Sequence, residues 1–324
     1  MREMITALER RRAPRPTLPA LVAPFVLAAV AVWAGAAPAV ELNGFDLDGA
    51  RIPVDEILRG GPGRDGIPAL DSPATVTAAA APWRDDEMVV GVAWPGGARA
   101  YPLAILVWHE LVNDSVGGRP ILVSYCPLCG TAMVFDRRIG GEERLFGVSG
   151  LLYQSDLLMF DRESDSLWSQ ISAEAVTGPA AGQRLSLVRA RTKPWGDWKR
   201  SHPDTTVLSA DTGHRRRYGR SPYGSYDSSK KLLFPVPANP RYHPKMRTVG
   251  LRLADGRARG YPLEEVERAG GRIEETFAGH PVEIRLDPAS QTFDVQAPAA
   301  VEVIEAFWFA WAAFHPDGSV FVAP

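Results

Sequence analysis

The chain has two cysteines, Cys126 and Cys129, set in Ser124-Tyr125-Cys126-Pro127-Leu128-Cys129-Gly130. Thiols at this spacing can pair as a disulfide, cycle between thiol and disulfide, or chelate a metal ion. A disulfide closing so short a loop restrains the unfolded chain by only about 2 kcal/mol, against roughly 4.7 for a 100-residue loop. The spacing therefore favours metal binding or reactivity over a structural staple. Cys-Pro-x-Cys-Gly is the loop of a zinc knuckle: proline sets the turn and glycine lets backbone amides approach the second sulfur. A closed structural zinc site takes four protein ligands, usually from two knuckles, and here there is one.

The remaining donors must come from elsewhere. His109, in Val107-Trp108-His109-Glu110, is the first candidate. A hairpin of 109–116 with 119–126 brings it beside the cysteines. Met133 follows Cys129 by four residues; in a buried strand it is core, but a thioether joining two thiolates and an imidazole suits copper. The expected centre is thus Cys126, Cys129 and His109, with Met133 in reserve, holding copper or zinc. With an open position it would be catalytic or would pass the metal on. Tyr153, Asp156, Trp168 and Gln170 are candidates for lining a pocket over the thiols. Two other readings stand beside this one. A thiol–disulfide oxidoreductase uses the same motif, but its first cysteine normally opens a helix, whereas Val123-Ser124-Tyr125 and Ala132-Met133-Val134-Phe135 read as strands. An envelope binding module would use a zinc or disulfide only to pin the loop. Gly147-Val148-Ser149-Gly150 is not a nucleophile elbow and no phosphate-binding loop occurs, which disfavours serine hydrolysis and nucleotide chemistry.

The elements that must position these residues read as mainly β with short helices. Many Pro and Gly (28 and 30) punctuate short Val-, Thr- and aromatic-rich runs. A formal net charge of −2 gives no electrostatic ground for a nucleic-acid partner. Residues 1–37 combine Arg10, Arg11, Arg12 and Arg15 with an apolar run and a small-residue exit, the pattern of a signal peptide or an uncleaved membrane anchor. Either reading predicts an exported body in the periplasm or cell envelope, in the second case tethered to the membrane. Residues 38–86 read as an N-terminal extension.

The rest repeats itself. Arg99-Ala100-Tyr101-Pro102-Leu103 is echoed by Arg259-Gly260-Tyr261-Pro262-Leu263. Trp195, Trp198, His202-Pro203-Asp204 and Val207 recur at identical spacing as Trp308, Trp311, His315-Pro316-Asp317 and Val320. This predicts an internally duplicated, hairpin-built unit forming two packed lobes, 87–209 and 246–324, joined by a linker at 210–245. Features in both copies are expected to be scaffold, the tryptophans and His202/His315 among them. The first copy alone has the cysteines, which fall opposite Asp287 and Ser290, as well as His109 and an insertion at 137–190. Function is therefore expected in the first lobe.

Ser124-Tyr125-Cys126-Pro127-Leu128-Cys129-Gly130-Thr131-Ala132, Phe146-Gly147-Val148-Ser149-Gly150-Leu151-Leu152-Tyr153 and Leu167-Trp168-Ser169-Gln170 resemble the bacterial and archaeal domain-of-unknown-function family 3179. The resemblance spans roughly 85–320. It implies an exported globular protein and supports the choice of site, without implying a reaction.

Overall fold

Trp198 and Trp311 explain why glycines sit inside two of the strands. A Cβ on Gly91 would lie 2.3 Å from the Trp198 ring, and one on Gly250 would lie 2.0 Å from that of Trp311. Each indole presses against its strand glycine and has a tilted histidine ring beside it, with His202 and His315 each 4.1 Å from their tryptophans between ring centroids. Burial drives the His315 imidazole down to about 3, so it packs as a neutral ring.

The sheets around these anchors are small. The computed structural model describes residues 40–324, and Ala39–Pro324 form one compact unit. With 41% strand against 13% helix the protein is mainly β, and its sheets stand in a ring resembling a five-bladed propeller. One sheet carries the cysteines, in the order Ser186–Val188, Thr131–Asp136, Arg119–Cys126, Leu111–Val116, Leu70–Asp71. A second runs Glu174–Ala175, Leu167–Ser169, Asp156–Asp161, Phe146–Tyr153, Ile57–Arg59. A third centres on the hairpin Met88–Trp94/Gly97–Pro102, a fourth on Arg247–Arg252/Ala258–Pro262, and a fifth is the meander Arg272–Phe277, His280–Asp287, Thr292–Gln296.

The third and fourth sheets share a topology. In each, the hairpin's first strand pairs antiparallel with a strand leading into a Trp helix, and its second strand pairs parallel with the strand that follows that helix. The Trp helices are α2 (Trp195–Ser201) and α4 (Trp308–Phe314); α1 (Leu103–His109) and α3 (Leu263–Arg268) follow the Tyr-Pro corners. The like-patterned segments therefore adopt like arrangements. They do so within one compact unit.

The stretch 38–86 is more than an extension. Ile57–Arg59, Leu70–Asp71 and Thr75–Thr77 add edge strands to three different sheets. Strands of two or three residues are too short to show alternation in sequence. The 137–190 insertion builds four of the five strands of the second sheet. Segment 210–245, the expected linker, holds one 3-10 turn, Tyr226–Ser228, and no strand. The expected export segment, 1–37, lies outside the described residues, and among the described residues no helix is long and apolar enough to cross a membrane.

Candidate metal centre

Cys126 ends its strand and pairs across the hairpin with Thr131, so Pro127–Gly130 form a tight turn closed by Gly130 at φ 60°. The turn is held from outside: the Phe307 amide donates to Cys129 O at 2.7 Å and the Phe307 ring covers Gly130. Both thiols are unbridged and almost fully buried, with 1% and 0% exposure.

They face the turn of a second hairpin, between Phe146–Tyr153 and Asp156–Asp161. Its two turn residues, Gln154 and Ser155, both have left-handed backbone, φ 52° and 66°. That suits a two-residue hairpin but is costly for residues other than Gly, Asn or Asp. The result is that the Ser155 carbonyl accepts from both thiols, Cys129 Sγ at 3.3 Å and Cys126 Sγ at 3.9 Å, and Asp156 follows directly. One ligand atom each from Cys126, Cys129 and Asp156 lie within 4.8 Å of one another.

Electrostatics sets the state of this cluster. Burial pushes the Asp156 carboxyl up to about 7, the Ile171 amide partly opposing it. Burial also raises the Cys126 thiol, and the Cys129 thiol well above its usual range, with Asp156 adding to both. Glu110, buried close by, is likewise raised to about 7 by desolvation, with the Asp156 charge contributing. In neutral solution without metal the pocket therefore retains protons. A divalent cation reverses that balance, because its charge favours thiolate and carboxylate and displaces the protons.

Several polar atoms here lack a partner. Asp156 Oδ2 accepts from the Ile171 amide at 3.0 Å, but Asp156 Oδ1, Ser155 Oγ, Tyr226 Oη and Gln170 Oε1 are buried without a hydrogen bond. Orphaned buried polar atoms are costly, of order 1–3 kcal/mol each. Two thiols and a carboxyl with a free oxygen form a donor set that fits a metal ion.

The other expected residues separate. His109 stands apart from the cluster: its Nδ1 is 2.7 Å from Pro68 O and its Nε2 is 2.8 Å from Tyr218 Oη, so both nitrogens are engaged. The cause is local. α1 ends at His109 and Glu110 takes a left-handed φ of 58°, reversing the chain before the strand begins. Pairing across the hairpin starts with Tyr125 N donating to Glu110 O, and it is Glu110 whose charge reaches Cys126. Met133 lies in the core cluster that includes both cysteines, Phe135, Phe146 and Trp168. Of the four pocket candidates, Asp156 joins the thiols. Gln170 lies alongside, its Nε2 donating to Ser124 Oγ and Thr131 O next to the thiol turn. Trp168 donates to Asp161 at 2.9 Å, and Tyr153 packs edge-on against Phe314.

Sequence reading missed the 210–245 segment as part of the site. Tyr223 Oη lies 3.5 Å from Glu110 Oε1, and Tyr226 is buried in the thiols' own core cluster. The clustered tyrosines of Tyr223-Gly224-Ser225-Tyr226 were the available signal. Residues Asp227, His243 and Lys245 of this segment also line a recess of about 490 Å³, together with Tyr125, Gly130 and Phe307.

These features define a propeller-like β protein with a buried dithiol–carboxylate centre. The family model described as "Protein of unknown function (DUF3179)" matches residues 64–302, and the chain belongs to that family. No curated protein and no solved structure matches it.

Proposed function

We propose that this is an exported metal-binding protein of the cell envelope, holding one zinc-type ion through Cys126, Cys129 and Asp156. The observation that carries the reading is the meeting of two buried thiols and a buried carboxyl with a free oxygen. Replacing the expected imidazole by a carboxylate shifts the choice between copper and zinc. Two thiolates alone suit Cu(I), whereas a carboxylate is a harder donor and a mixed sulfur–oxygen set suits Zn(II). The bound ion would act as a Lewis acid or as a cargo. The chain's residues hold it dry, with Ser155 and its strained turn fixing the approach of Asp156. Export rests on the basic-apolar-small pattern of residues 1–37, and the two-fold patterning is read as a duplicated scaffold of which one copy was fitted with this centre.

Redox cycling is less well supported. Cys126 ends a strand rather than opening a helix, and burial raises both thiols, the opposite of what an attacking thiolate needs. Elemental analysis of protein purified without chelator should find about one equivalent of metal, absent from Cys126→Ser. Metal-free protein of full stability with both thiols titratable would overturn the proposal.

A further inference from the structure

The recess of about 490 Å³ beside the thiol turn falls in the size range of small-molecule sites. Both like-patterned sheets contribute to it. Val90 and Val249 hold the same register place, each paired with the tyrosine of its Tyr-Pro corner. Their partners on the next strand, Thr192 and Glu305, therefore correspond. So do Met88 and Arg247, two residues before each valine, and Leu103 and Leu263, just after each corner. All six line the recess.

The corresponding walls differ in charge. One sheet offers Met88, Leu103 and Thr192, all uncharged, where the other offers Arg247, Leu263 and Glu305. The 210–245 segment adds Asp227 and Lys245. A ligand matching these walls has an apolar body and a charged end.

The hydrogen bonds decide the sign of that charge. Arg247 donates to Glu305 Oε2 at 3.1 Å and to the Gln291 carbonyl, so Arg247 and Glu305 answer each other. An ammonium has three protons, and Lys245 Nζ gives its own to the carbonyls of Tyr226 at 3.1 Å, Ser229 at 2.9 Å and Lys231 at 3.0 Å. Its charge partly offsets that of Asp227, but it has no proton left to donate there. Among the described residues nothing donates to the Asp227 carboxylate and no cation makes an ion pair with it. Desolvation by the surrounding walls raises this carboxyl, against the Lys245 charge, and raises that of Glu305 against the pull of Arg247. Both carboxylates gain from a cation brought into the recess.

We propose that this recess binds a small primary amine with an apolar body, its ammonium taken by Asp227 and its hydrocarbon by the wall of Met88 and Leu103. The site is separate from the metal centre and does not depend on it.

The test is calorimetric titration of the full chain with benzylamine, and with benzyl alcohol and benzoate, which keep its shape and change its charge. Benzylamine should bind saturably at one site, about tenfold more tightly than either of the others or better. Asp227→Asn removes a charge at an exposed position without changing its size, so melting should be unchanged. In that variant the preference for the amine over the alcohol should fall about tenfold. Asp204→Asn, at an exposed carboxylate that does not line the recess, should leave the preference intact. No saturable benzylamine binding, equal binding of the alcohol, or an amine preference unchanged in Asp227→Asn would each overturn the proposal. Tighter binding of benzoate would mark an anion site and overturn it as well.

Discussion

The turns at Cys126–Thr131 and Asp287–Thr292 join their strands in the same register, and each has proline second and a left-handed residue fifth, Gly130 at φ 60° and Gln291 at φ 54°. They are stabilised differently. Asp287 caps its own turn: Oδ1 accepts from the Ala289 amide at 2.9 Å and Oδ2 from Ser290 Oγ at 2.8 Å, all at the surface. Cysteine cannot do this, because sulfur is a weak acceptor. The thiol turn is buried instead and depends on remote groups, the Ser155 carbonyl and the Phe307 amide. The backbone shape is thus independent of the sulfurs, and their burial beside a carboxyl has no structural gain to account for it. A site explains what the fold does not need.

That contrast can be broken by exchanging the turns. Cys126→Asp with Cys129→Ser should abolish metal binding, from about one equivalent to none by elemental analysis. The reverse exchange, Asp287→Cys with Ser290→Cys, should create two thiols that hold no metal tightly, because nothing at that turn corresponds to Asp156. A tightly bound second equivalent would refute the role given to Asp156.

The next effect is on pH dependence. Asp156 and Glu110 both have folded values of about 7, above their ordinary values of 3.8 and 4.5. Raised acids favour the folded state while protonated. Metal-free protein should be most stable below pH 4 as far as these groups are concerned, and should lose stability as pH rises to about 7, by several kcal/mol if both act fully. Asp156→Asn should flatten part of that slope in denaturant titrations across pH 5–8. Metal-loaded protein should show the opposite slope, since ion binding expels protons. Parallel slopes with and without metal would count against the centre.

A smaller difference concerns the left-handed position. A Cβ at Gly130 would meet the Phe307 ring at 2.8 Å. Gly130→Ala should therefore cost about 2–3 kcal/mol, from backbone strain plus this clash. Gln291→Gly, at the open turn, should change melting by a few tenths of a kcal/mol at most. The smallest expected effect on the metal is that of His109→Ala. It should lose about 1 kcal/mol of stability for each hydrogen bond removed and leave metal affinity within error.

How far the sequence foretold this follows from the range of the forces involved. The Cys-Pro-Leu-Cys-Gly turn and the paired Trp anchors were legible because each is a local pattern with a local cause. Asp156 was legible only as a neighbour, through the argument that an insertion unique to one copy should bear on function. His109 misled because register arithmetic assumes a strand. A left-handed glutamate at a helix end, uncommon for that residue type, instead reverses the chain there, so strand pairing starts at Glu110 O and His109 stays with Pro68 and Tyr218. The approach of Tyr223 to Glu110 was hidden since nothing periodic marks the strandless 210–245 segment. The edge strands of 57–77 are set by partners far along the chain, which short-range reading does not see.

The hydrogen bond from Phe307 to Cys129 has a consequence for how the protein matures. The second cysteine's turn is completed by an amide far downstream, on the strand Glu302–Phe307, so a nascent hairpin carrying both cysteines lacks the contact that closes its turn. Loading of the proposed ion would wait until that strand has docked, with the thiols exposed to oxidants or stray ions in the interval. Capture of the proposed ion would then report that the ring has closed. In refolding experiments its uptake should follow the final folding phase and not the first.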